Sequence, residues 1–514
     1  MRLSATMSLF APLLLAAAAH ADVKLPPFFS DHLVLQRETQ VPIWGTAAAG
    51  EKVTVRFRDQ EKSTTAGADG KWRVELDPLQ VGQPGELTVA GKNMLTLQDV
   101  LVGEVWVGSG QSNMQGATRS YAVNDAELAR LRDGGPYPQI RLGRANGNWQ
   151  VATPQNIDGF SAILFAFGQT LQKELDVPVG LLVGAVGGTP SGAWLSERSL
   201  AEDAPCQALI AEYAKSYDAA LKRYESTELP AWEKAAAEAK AAGKPEPRKP
   251  EAPIKPGLTR GNQKPGYLYE AHIRPLVGYA VRGVLWDQGE SGTAIGGVDQ
   301  YTLMGALIRG WRHEWGRDFA FIYVQKPSGG GCAWDTGNPI TSHAEPFAAL
   351  PAQVPADGAY VETHVRIMTY PHVGMAISSD LGPGVHPVNK SGYGRRAAAV
   401  ALGMTYQKPV EYYGPVYASH AVEGNKLRVK FTHVGQGLAT RHGDKLQGFA
   451  IAGDDGKFHW GQAQIDGDSV VVSSPEVPKP AHLRYAWSNK RTWANLFNAD
   501  GLPALPFRTD KELK

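Results

Sequence analysis

Apolar and polar positions follow different patterns in successive parts of the chain. From residue 22 to 100, short apolar runs such as Val53–Phe57 alternate with polar positions between turns, which predicts an all-β sandwich-like domain. Over residues 101–407, buried-strand patterns alternate with helical patterns, which predicts an α/β domain with a parallel sheet flanked by helices. From 408 to 514, strand patterns such as Leu427–Phe431 return and predict a second all-β domain.

One segment of the α/β region differs from its surroundings. Residues 205–265 begin with a helical pattern that includes the Ala-, Lys- and Glu-rich stretch Trp232–Ala242. The Pro- and Lys-rich segment Gly243–Pro256 follows, and its charges are typical of a solvated surface. We therefore expect a helical and proline-rich insertion at 205–265.

The first 21 residues have the pattern of a secretory signal peptide. Arg2 precedes the apolar stretch Leu9–Ala19, and Ala19-His20-Ala21 has the small residues of a cleavage site. The apolar stretch is shorter than the roughly 20 residues that span a bilayer, and an uncleaved anchor is the alternative. We expect cleavage after Ala21 and an exported protein, in the periplasm of a bacterium.

A serine lies directly after the most strongly apolar strand pattern. Val102–Val107 ends in the turn Gly108-Ser109-Gly110 and continues into Gln111-Ser112-Asn113-Met114. On such a strand-to-helix turn the hydroxyl of Ser112 is exposed near helix N-terminal amides, which can stabilise an oxyanion. The usual G-x-S-x-G elbow is incomplete, because Met114 occupies its last position, so a serine that only caps a helix is the alternative.

Three further strand patterns end in polar turns that contain glycine. The first is followed by Gly187-Gly188, the second by Gln288 and Glu290, and the third by Asp380 and His386. Because open α/β sheets place ligands at the carboxyl ends of their strands, we expect these residues to lie near Ser112. A serine that precedes a histidine near the end of the domain suits a hydrolytic site.

Four segments at these strand ends resemble the sialate O-acetylesterase-type carbohydrate esterases, within the SGNH hydrolase superfamily. They are G-Q-S-N-M at 110–114, G-G-T-P-S-G-A-W at 187–194, W-D-Q-G-E-S at 286–291 and H-P-V-N-K at 386–390. Further similar segments extend the resemblance over nearly all of the chain, among them F-S-D-H-L-V-L-Q at 29–36 and L-P-A-L-P-F-R-T-D at 502–510. The resemblance implies an SGNH-type sheet and removal of acetyl groups from sugar hydroxyls without a metal or an organic cofactor.

The resemblance also implies roles for individual residues. Ser112 would be the nucleophile, and His386 the general base that later protonates the departing sugar oxygen. The oxyanion would be bound by the Ser112 amide, an amide of the Gly187-Gly188 turn and the side chain of Gln288.

The acid that would orient His386 has two candidates. Many SGNH enzymes place an aspartate three residues before the histidine, but Pro383 occupies that position here. Glu290 in the Q-G-E segment and Asp380, six residues upstream of His386, are the candidates, and we favour Glu290. A Ser-His dyad supported by a backbone carbonyl is the third alternative.

Composition narrows the range of partners. The chain has 52 basic and 51 acidic residues, which argues against nucleic acid or an anionic membrane as a partner. The sequence contains no H-E-x-x-H motif, and its histidines lack the spacing of metal ligands, so we expect no metal site. Cys206 and Cys332 either form a disulfide or are two buried thiols. The sequence does not indicate an oligomeric state.

The sequence therefore predicts an exported serine esterase that removes O-acetyl groups from a carbohydrate through an acetyl-serine intermediate. An alternative of another class is a catalytically inactive carbohydrate-binding protein of the same fold. A lipase or thioesterase is less favoured, because no apolar lid-like helix accompanies the site. Acetylated plant hemicellulose oligosaccharides are the favoured substrate. O-acetylated sialic acid is the alternative, for which the cationic candidates are Arg119, Arg260 and Arg282.

Overall fold

The computed structural model describes residues 22–333, 337–338 and 341–511. The predicted signal peptide, residues 1–21, therefore lies outside the described residues. In the part of the chain that is described, no helix combines the length and the apolar character needed to cross a membrane.

The N-terminal region consists of short strands whose alternating burial follows the sequence pattern. In order along the chain they are β1 (Val34–Gln36), β2 (Val41–Thr46), β3 (Lys52–Phe57), β4 (Gln60–Thr65), β5 (Lys71–Leu76) and β6 (Gly85–Ala90). β2 pairs antiparallel with β5, and β3 pairs antiparallel with β4 and β6. In β3 and β5 buried and exposed side chains alternate, so one face of each strand packs into the core.

A parallel sheet forms the centre of the molecule. Its strands are β7 (Met94–Gly110), β8 (Tyr137–Arg144), β9 (Gln150–Ala152), β10 (Val179–Ala185), β11 (Gly283–Asp287), β12 (Ala320–Val324) and β13 (Val373–Ala376). Their order in space is β13-β12-β11-β7-β10-β8, all parallel, and β9 is antiparallel to β8 at the edge. Successive strands are added on both sides of β7, so β7 ends at the point where the strand order reverses, the usual ligand position in such sheets.

Strand β7 crosses residue 100, where the sequence predicted a domain boundary. Its first part pairs antiparallel with β6, and its second part pairs parallel with β10 and β11. The N-terminal region and the central sheet therefore share one strand, and their apolar residues form one continuous core.

Helices cover both faces of the central sheet and form the first part of the predicted insertion. They are α1 (Ser112–Gln115), α2 (Thr118–Tyr121), α3 (Ala126–Asp133), α4 (Pro154–Asp158), α5 (Ala162–Leu175), α6 (Glu197–Glu202), α7 (Ala204–Arg223), α8 (Leu229–Ala241), α9 (Tyr267–His272), α10 (Gln300–Trp315), α11 (Ala359–Ile367) and α12 (Lys390–Val400). α5 and α12 pack closely, because Gly394 leaves room for the backbone of α5 where any side chain would collide with Ala166 and Ile163. This contact fixes the start of α12, and with it the preceding loop, against the sheet.

The C-terminal region returns to short strands, as the pattern predicted. They are β14 (Val416–Glu423), β15 (Lys426–Thr432), β16 (Leu438–Thr440), β17 (Phe449–Ala452), β18 (His459–Trp460), β19 (Gln462–Asp466), β20 (Ser469–Ser473), β21 (His482–Tyr485), β22 (Leu496–Asn498) and β23 (Phe507–Arg508). They form antiparallel sheets around a separate hydrophobic core. The predicted fold class, an α/β sheet flanked by helices with β structure at both ends, is confirmed.

The two cysteines do not pair with each other. Cys206 lies in α7 and Cys332 follows β12, and both are buried free thiols. Burial raises the pKa of both thiols, that of Cys332 to about 12. Of the two alternatives from the sequence, the structure has two buried thiols.

Candidate active site

Ser112 lies where β7 ends and the short helix α1 begins. Gly110 has a φ of 126°, and a side chain there would collide with the carbonyl of Asp287, so only glycine permits this approach of β7 and β11. The amide of Gln111 donates to the same carbonyl over 2.9 Å. The turn fixed in this way places Ser112 at the carboxyl edge of the sheet.

The side chains of Ser112 and His386 are in direct contact. The Oγ of Ser112 lies 2.8 Å from Nε2 of His386, a distance at which a neutral imidazole can accept the hydroxyl proton. His386 is exposed and Ser112 is partly exposed, so an ester can reach the pair from solvent. The two residues predicted as nucleophile and base are thus brought together by the fold.

Asn113 connects the serine turn to the histidine loop. It is fully buried, and its Nδ2 donates to the carbonyl of Val385 over 2.9 Å. Val385 directly precedes His386, so the residue that follows Ser112 holds the backbone that carries the imidazole. Asn113 was not among the predicted site residues, although it belongs to the segment 110–114 that carries the resemblance.

Glu290 binds both neighbours of Ser112. Its Oε2 accepts from Nε2 of Gln111 over 2.5 Å, and its Oε1 accepts from Nδ2 of Asn113 over 3.2 Å. Glu290 therefore lies beside Ser112, but its described hydrogen bonds go to the serine turn and to Lys326, and none goes to His386.

Asp380 lies on the buried side of the loop that carries His386. It is fully buried and forms a two-pronged ion pair with Arg396 of α12, with N–O distances of 3.0 and 3.2 Å. Over residues 22–333, 337–338 and 341–511, no carboxylate forms an ion pair or hydrogen bond with His386. In the described chain, serine and histidine therefore form a dyad, and both acid candidates are engaged elsewhere.

The Gly187-Gly188 turn lies beside the serine, as predicted. A side chain at Gly187 would come within 3.4 Å of Cβ of Ser112. The amide of Gly187 already donates to Oε1 of Gln115 over 2.9 Å. Gly188 has free space where a side chain would project, and its amide makes no hydrogen bond to a described residue.

Gln288 is buried behind this turn instead of facing the serine. Its Nε2 donates to the carbonyl of Gly292 over 3.1 Å and to that of Thr189 over 3.4 Å. The predicted oxyanion donor thus has its amide hydrogens engaged by two loop carbonyls. In this arrangement Gln288 joins the two loops that border the site.

A buried lysine compensates the acids beneath the serine turn. Nζ of Lys326 lies 2.7 Å from Oδ1 of Asp287 and 2.6 Å from Oε1 of Glu290, and its side chain has no exposed surface. Burial alone would disfavour the charge, but the two carboxylates outweigh it and raise the pKa of Lys326. The sequence did not predict a role for Lys326, because it follows β12 in a segment without a recognisable motif.

A second buried lysine reaches the site from α12. Nζ of Lys390 donates to Oδ1 of Asn113 over 2.6 Å and lies 4.4 Å above the ring of Tyr121. Burial lowers the pKa of Lys390 to about 7. Lys390 is the last residue of the segment 386–390 that carries the resemblance, but its contact with Asn113 was not predictable from the sequence.

A buried histidine lies on the far side of Lys326. His364 has neither ring nitrogen hydrogen-bonded to a described residue, and burial lowers its pKa to about 3. Its Nε2 lies next to Gly289, whose carbonyl accepts from the hydroxyl of Tyr360. A neutral imidazole therefore packs under the 287–290 turn.

Within the described residues, no group of three or more His, Cys, Asp or Glu side chains is arranged to hold a metal ion. A serine hydroxyl bonded to an exposed imidazole, at the carboxyl edge of a parallel sheet, is the arrangement that serine hydrolases use. In the described residues, the fold is an α/β sheet flanked by helices, and its site pairs a serine with a histidine.

Comparisons with known proteins show which esterases this chain resembles. Residues 102–231 match the family model described as "Carbohydrate esterase, sialic acid-specific acetylesterase". The human sialate O-acetylesterase is 26% identical over 555 aligned residues, which cover 98% of this chain and 95% of the human protein. The rat sialate O-acetylesterase is 30% identical over 342 residues, 59% of each protein.

A solved structure agrees over nearly the whole chain. A carbohydrate acetylesterase from Xanthomonas citri is 29% identical, with a TM-score of 0.72 and coverage of 95% of this chain and 100% of that one. The resemblance predicted from the sequence is confirmed: the chain is similar to carbohydrate O-acetylesterases of the sialate O-acetylesterase type, and these similarities support carbohydrate O-acetylesterase activity.

Proposed function

We propose that this enzyme hydrolyses O-acetyl esters on carbohydrates through an acetyl-serine intermediate. The observation that carries the proposal is the 2.8 Å contact between Oγ of Ser112 and Nε2 of His386 at an exposed sheet edge. A serine hydroxyl is a weak nucleophile at neutral pH, and an adjacent imidazole that removes its proton is the usual means of activation.

The reaction has two steps, acylation of Ser112 and hydrolysis of the acetyl-serine. Nε2 of His386 takes the proton of Ser112 as Oγ attacks the acetyl carbon, and the oxyanion is bound by the backbone amides of Ser112 and Gly188. Collapse of this intermediate breaks the bond to the sugar oxygen, which receives the proton from His386. Water, deprotonated by His386, then attacks the acetyl-serine, and acetate leaves as Ser112 regains its proton.

Glu290 acts in this scheme by positioning the serine turn. Its carboxylate holds Gln111 and Asn113, and Lys326 balances its charge. The imidazolium that forms during attack is then stabilised by the negative charge of the tetrahedral intermediate and by solvent, because His386 is exposed. We therefore favour a Ser-His dyad with a positioning acid, which modifies the triad role first assigned to Glu290.

The substrate is one of two kinds of acetylated sugar. Acetylated plant hemicellulose oligosaccharides and O-acetylated sialic acid both present an acetyl ester on a secondary or primary hydroxyl. The names of the animal relatives refer to sialate, and that of the Xanthomonas citri protein refers to carbohydrate. Both substrates therefore belong in the first assay.

Acetate release by the wild type and Ser112→Ala, on both substrates, tests the proposal. We expect Ser112→Ala to lower kcat by about six orders of magnitude, as loss of the nucleophile does in serine hydrolases. Ser109→Ala is the matched control, because Ser109 is buried and its hydroxyl has no partner among the described residues. Mass spectrometry after rapid quenching should detect an increase of about 42 Da in the mass of the peptide that contains Ser112, because an acetyl group replaces a proton.

The other outcomes are equally clear. Equal rates for the wild type and Ser112→Ala would exclude Ser112 as the nucleophile. Absence of acetate release from either substrate, with sugar binding retained, would favour the inactive carbohydrate-binding protein. The export proposal has its own test: the N-terminus of protein recovered from the periplasm should be Asp22.

A further inference from the structure

The mechanism above uses no residue of the C-terminal region, although that region packs directly against the α/β part of the chain. Glu362 of α11 accepts hydrogen bonds from Nε1 of Trp487 over 3.1 Å and from Nε of Arg508 over 2.9 Å. Glu362 and Trp487 are buried. These bonds dock the C-terminal region, which has its own hydrophobic core, at a fixed place on the α/β part.

His386 lies in the loop that connects β13 to α12, residues 377–389 (the histidine loop), which is irregular over its described length. Gly382 and Gly384, on either side of Pro383, have φ values of 116° and 91°. Because glycine restricts the backbone less than any other residue, the peptide before His386 has little stiffness of its own. The position of the imidazole therefore depends on what packs against this peptide.

Three consecutive glycines after β12, Gly329-Gly330-Gly331 (the glycine loop), lie against the first part of the histidine loop. The amide of Gly329 donates to the carbonyl of Ser378 over 3.3 Å, and that of Gly331 donates to the carbonyl of Ser379 over 2.9 Å. The two loops are therefore joined along their backbones.

Gly329 also lies directly against the residues that lead to His386. A side-chain carbon at Gly329 would be 2.6 Å from the carbonyl oxygen of Gly382 and 2.8 Å from Cα of Pro383, so the two backbones are in contact. Asn113 binds the last carbonyl before His386. Together with Asn113, the glycine loop thus supports the peptide that carries the imidazole.

The C-terminal region holds the middle of the glycine loop. The amide of Arg491 donates to the carbonyl of Gly330 over 2.5 Å. A side chain at Gly330 would collide with the carbonyl of Asn489, and the φ of Gly330 is 85°. Only glycine therefore permits this contact between the C-terminal region and the glycine loop.

The side chain of Arg491 determines the shape of the loop that makes this contact, Ser488–Arg491. Its Nη1 donates to the carbonyls of Ser488 and Asn489 over 3.3 and 3.2 Å, and the residue is 3% exposed. Oγ of Ser488 donates to the carbonyl of Lys490 over 2.8 Å. These internal bonds fix the loop in the shape that contacts Gly330.

We propose that the C-terminal region is part of the catalytic machinery, because its loop Ser488–Arg491 holds the glycine loop and thereby positions the backbone of His386. Arg491 and Gly330 are positioning residues that act on His386 through the glycine loop. This role rests on the proposed function, in which His386 is the general base. A shift of the imidazole by about 1 Å from its contact with Ser112 lowers the rate about a hundred-fold without a change in substrate binding.

Gly330→Ala tests the contact between the two regions, because its methyl group meets the carbonyl of Asn489 and pushes the loops apart. On acetylated hemicellulose oligosaccharide and O-acetylated sialic acid, we expect kcat to fall about ten- to a hundred-fold and KM to change less than about two-fold. Gly424→Ala is the matched control: Gly424 lies between β14 and β15 with a φ of 65° and free space for a methyl group. It introduces the same backbone strain without a collision and should keep the kcat of the wild type.

Arg491→Met tests the same role without a change in the backbone. It removes the two hydrogen bonds of the guanidinium and should lower kcat several-fold, and Arg491→Lys should recover part of the loss because it keeps a charged donor. Arg484→Met removes an arginine of β21 that is paired with Asp510 over 2.6 Å, and it should not affect kcat. All variants are full-length and are compared at a temperature at which circular dichroism shows each of them folded.

Hydrogen exchange measured by mass spectrometry reports on the histidine loop independently of activity. Peptides that cover residues 377–389 should exchange several-fold faster in Gly330→Ala than in Gly424→Ala, while peptides from β10 exchange equally. Unchanged exchange in the histidine loop would overturn the proposal even if the enzyme is an established esterase. Faster exchange with an unchanged kcat, or an equal fall of kcat in Gly330→Ala and Gly424→Ala, would overturn it as well. If the wild type releases no acetate, the proposed function fails, and exchange alone decides whether the C-terminal region holds the histidine loop.

Discussion

The buried lysine at the start of α12 makes the stability of this enzyme depend on pH in an unusual range. Lys390 has no ion-pair partner among the described residues, and its ammonium is held by Asn113 and the ring of Tyr121. Burial is the largest effect on the pKa of Lys390 and lowers it, and the positive charge of Lys326 lowers it further. Three acids raise it: Asp287, Glu290 and Asp125. The perturbation that tests this balance is Lys390→Met, which keeps the length of the side chain and removes the titrating group.

The magnitude follows from the lowered pKa. In the folded protein Lys390 loses its proton near pH 7, whereas in the unfolded chain an ordinary lysine loses it at about 10.4. Between these values the unfolded state binds more protons, so the free energy of unfolding rises with pH. Integrated from pH 7 to 9, the contribution of Lys390 is about 2 kcal/mol, from about 1.4 kcal/mol per pH unit at full difference.

Denaturant unfolding at pH 7, 8 and 9 measures this contribution. The wild type should gain about 2 kcal/mol relative to Lys390→Met over that range, because all other titrations are common to both proteins. Lys173→Met, which removes an exposed lysine of α5, should run parallel to the wild type. A constant difference between the wild type and Lys390→Met at all three pH values would refute the reasoning.

Three further results are expected. Glu290→Gln leaves Lys326 with one carboxylate and should lower the free energy of unfolding by about 2–3 kcal/mol, measured by denaturant titration; an unchanged midpoint would contradict this. Between pH 6.5 and 4.5, the free energy of unfolding of His364→Phe should fall by about 2 kcal/mol less than that of the wild type. The reason is that buried His364, with a pKa of about 3, stays neutral in the folded protein while the histidine of the unfolded chain binds a proton; an equal fall in both proteins would disprove it. Asn113→Ala frees the carbonyl of Val385 and should lower kcat about ten- to a hundred-fold with little change in KM, whereas a change confined to KM would show that Asn113 acts in binding.

Several elements of the fold were predictable because their causes are local. The apolar runs that became β10, β11 and β13 are bounded by glycine-containing turns, and both their type and their position follow from the pattern. The domain boundary was less predictable. The first part of β7 is mostly exposed or partly buried and its second part is continuously buried, and the sequence pattern does not indicate that one strand serves two sheets.

The turns that carry the candidate chemistry were predictable from the sequence, because a serine, a pair of glycines, a glutamate and a histidine each follow a buried strand, and parallel strands bring such turns to one edge. The contacts among these side chains follow only from the packing of distant segments. Glu290 bonds to the neighbours of Ser112, Asp380 pairs with Arg396, and Lys326 and Lys390 are buried beneath the turn. Strand and turn patterns arise from neighbours in sequence, whereas the partner of a buried polar or charged group depends on which distant segments pack against it.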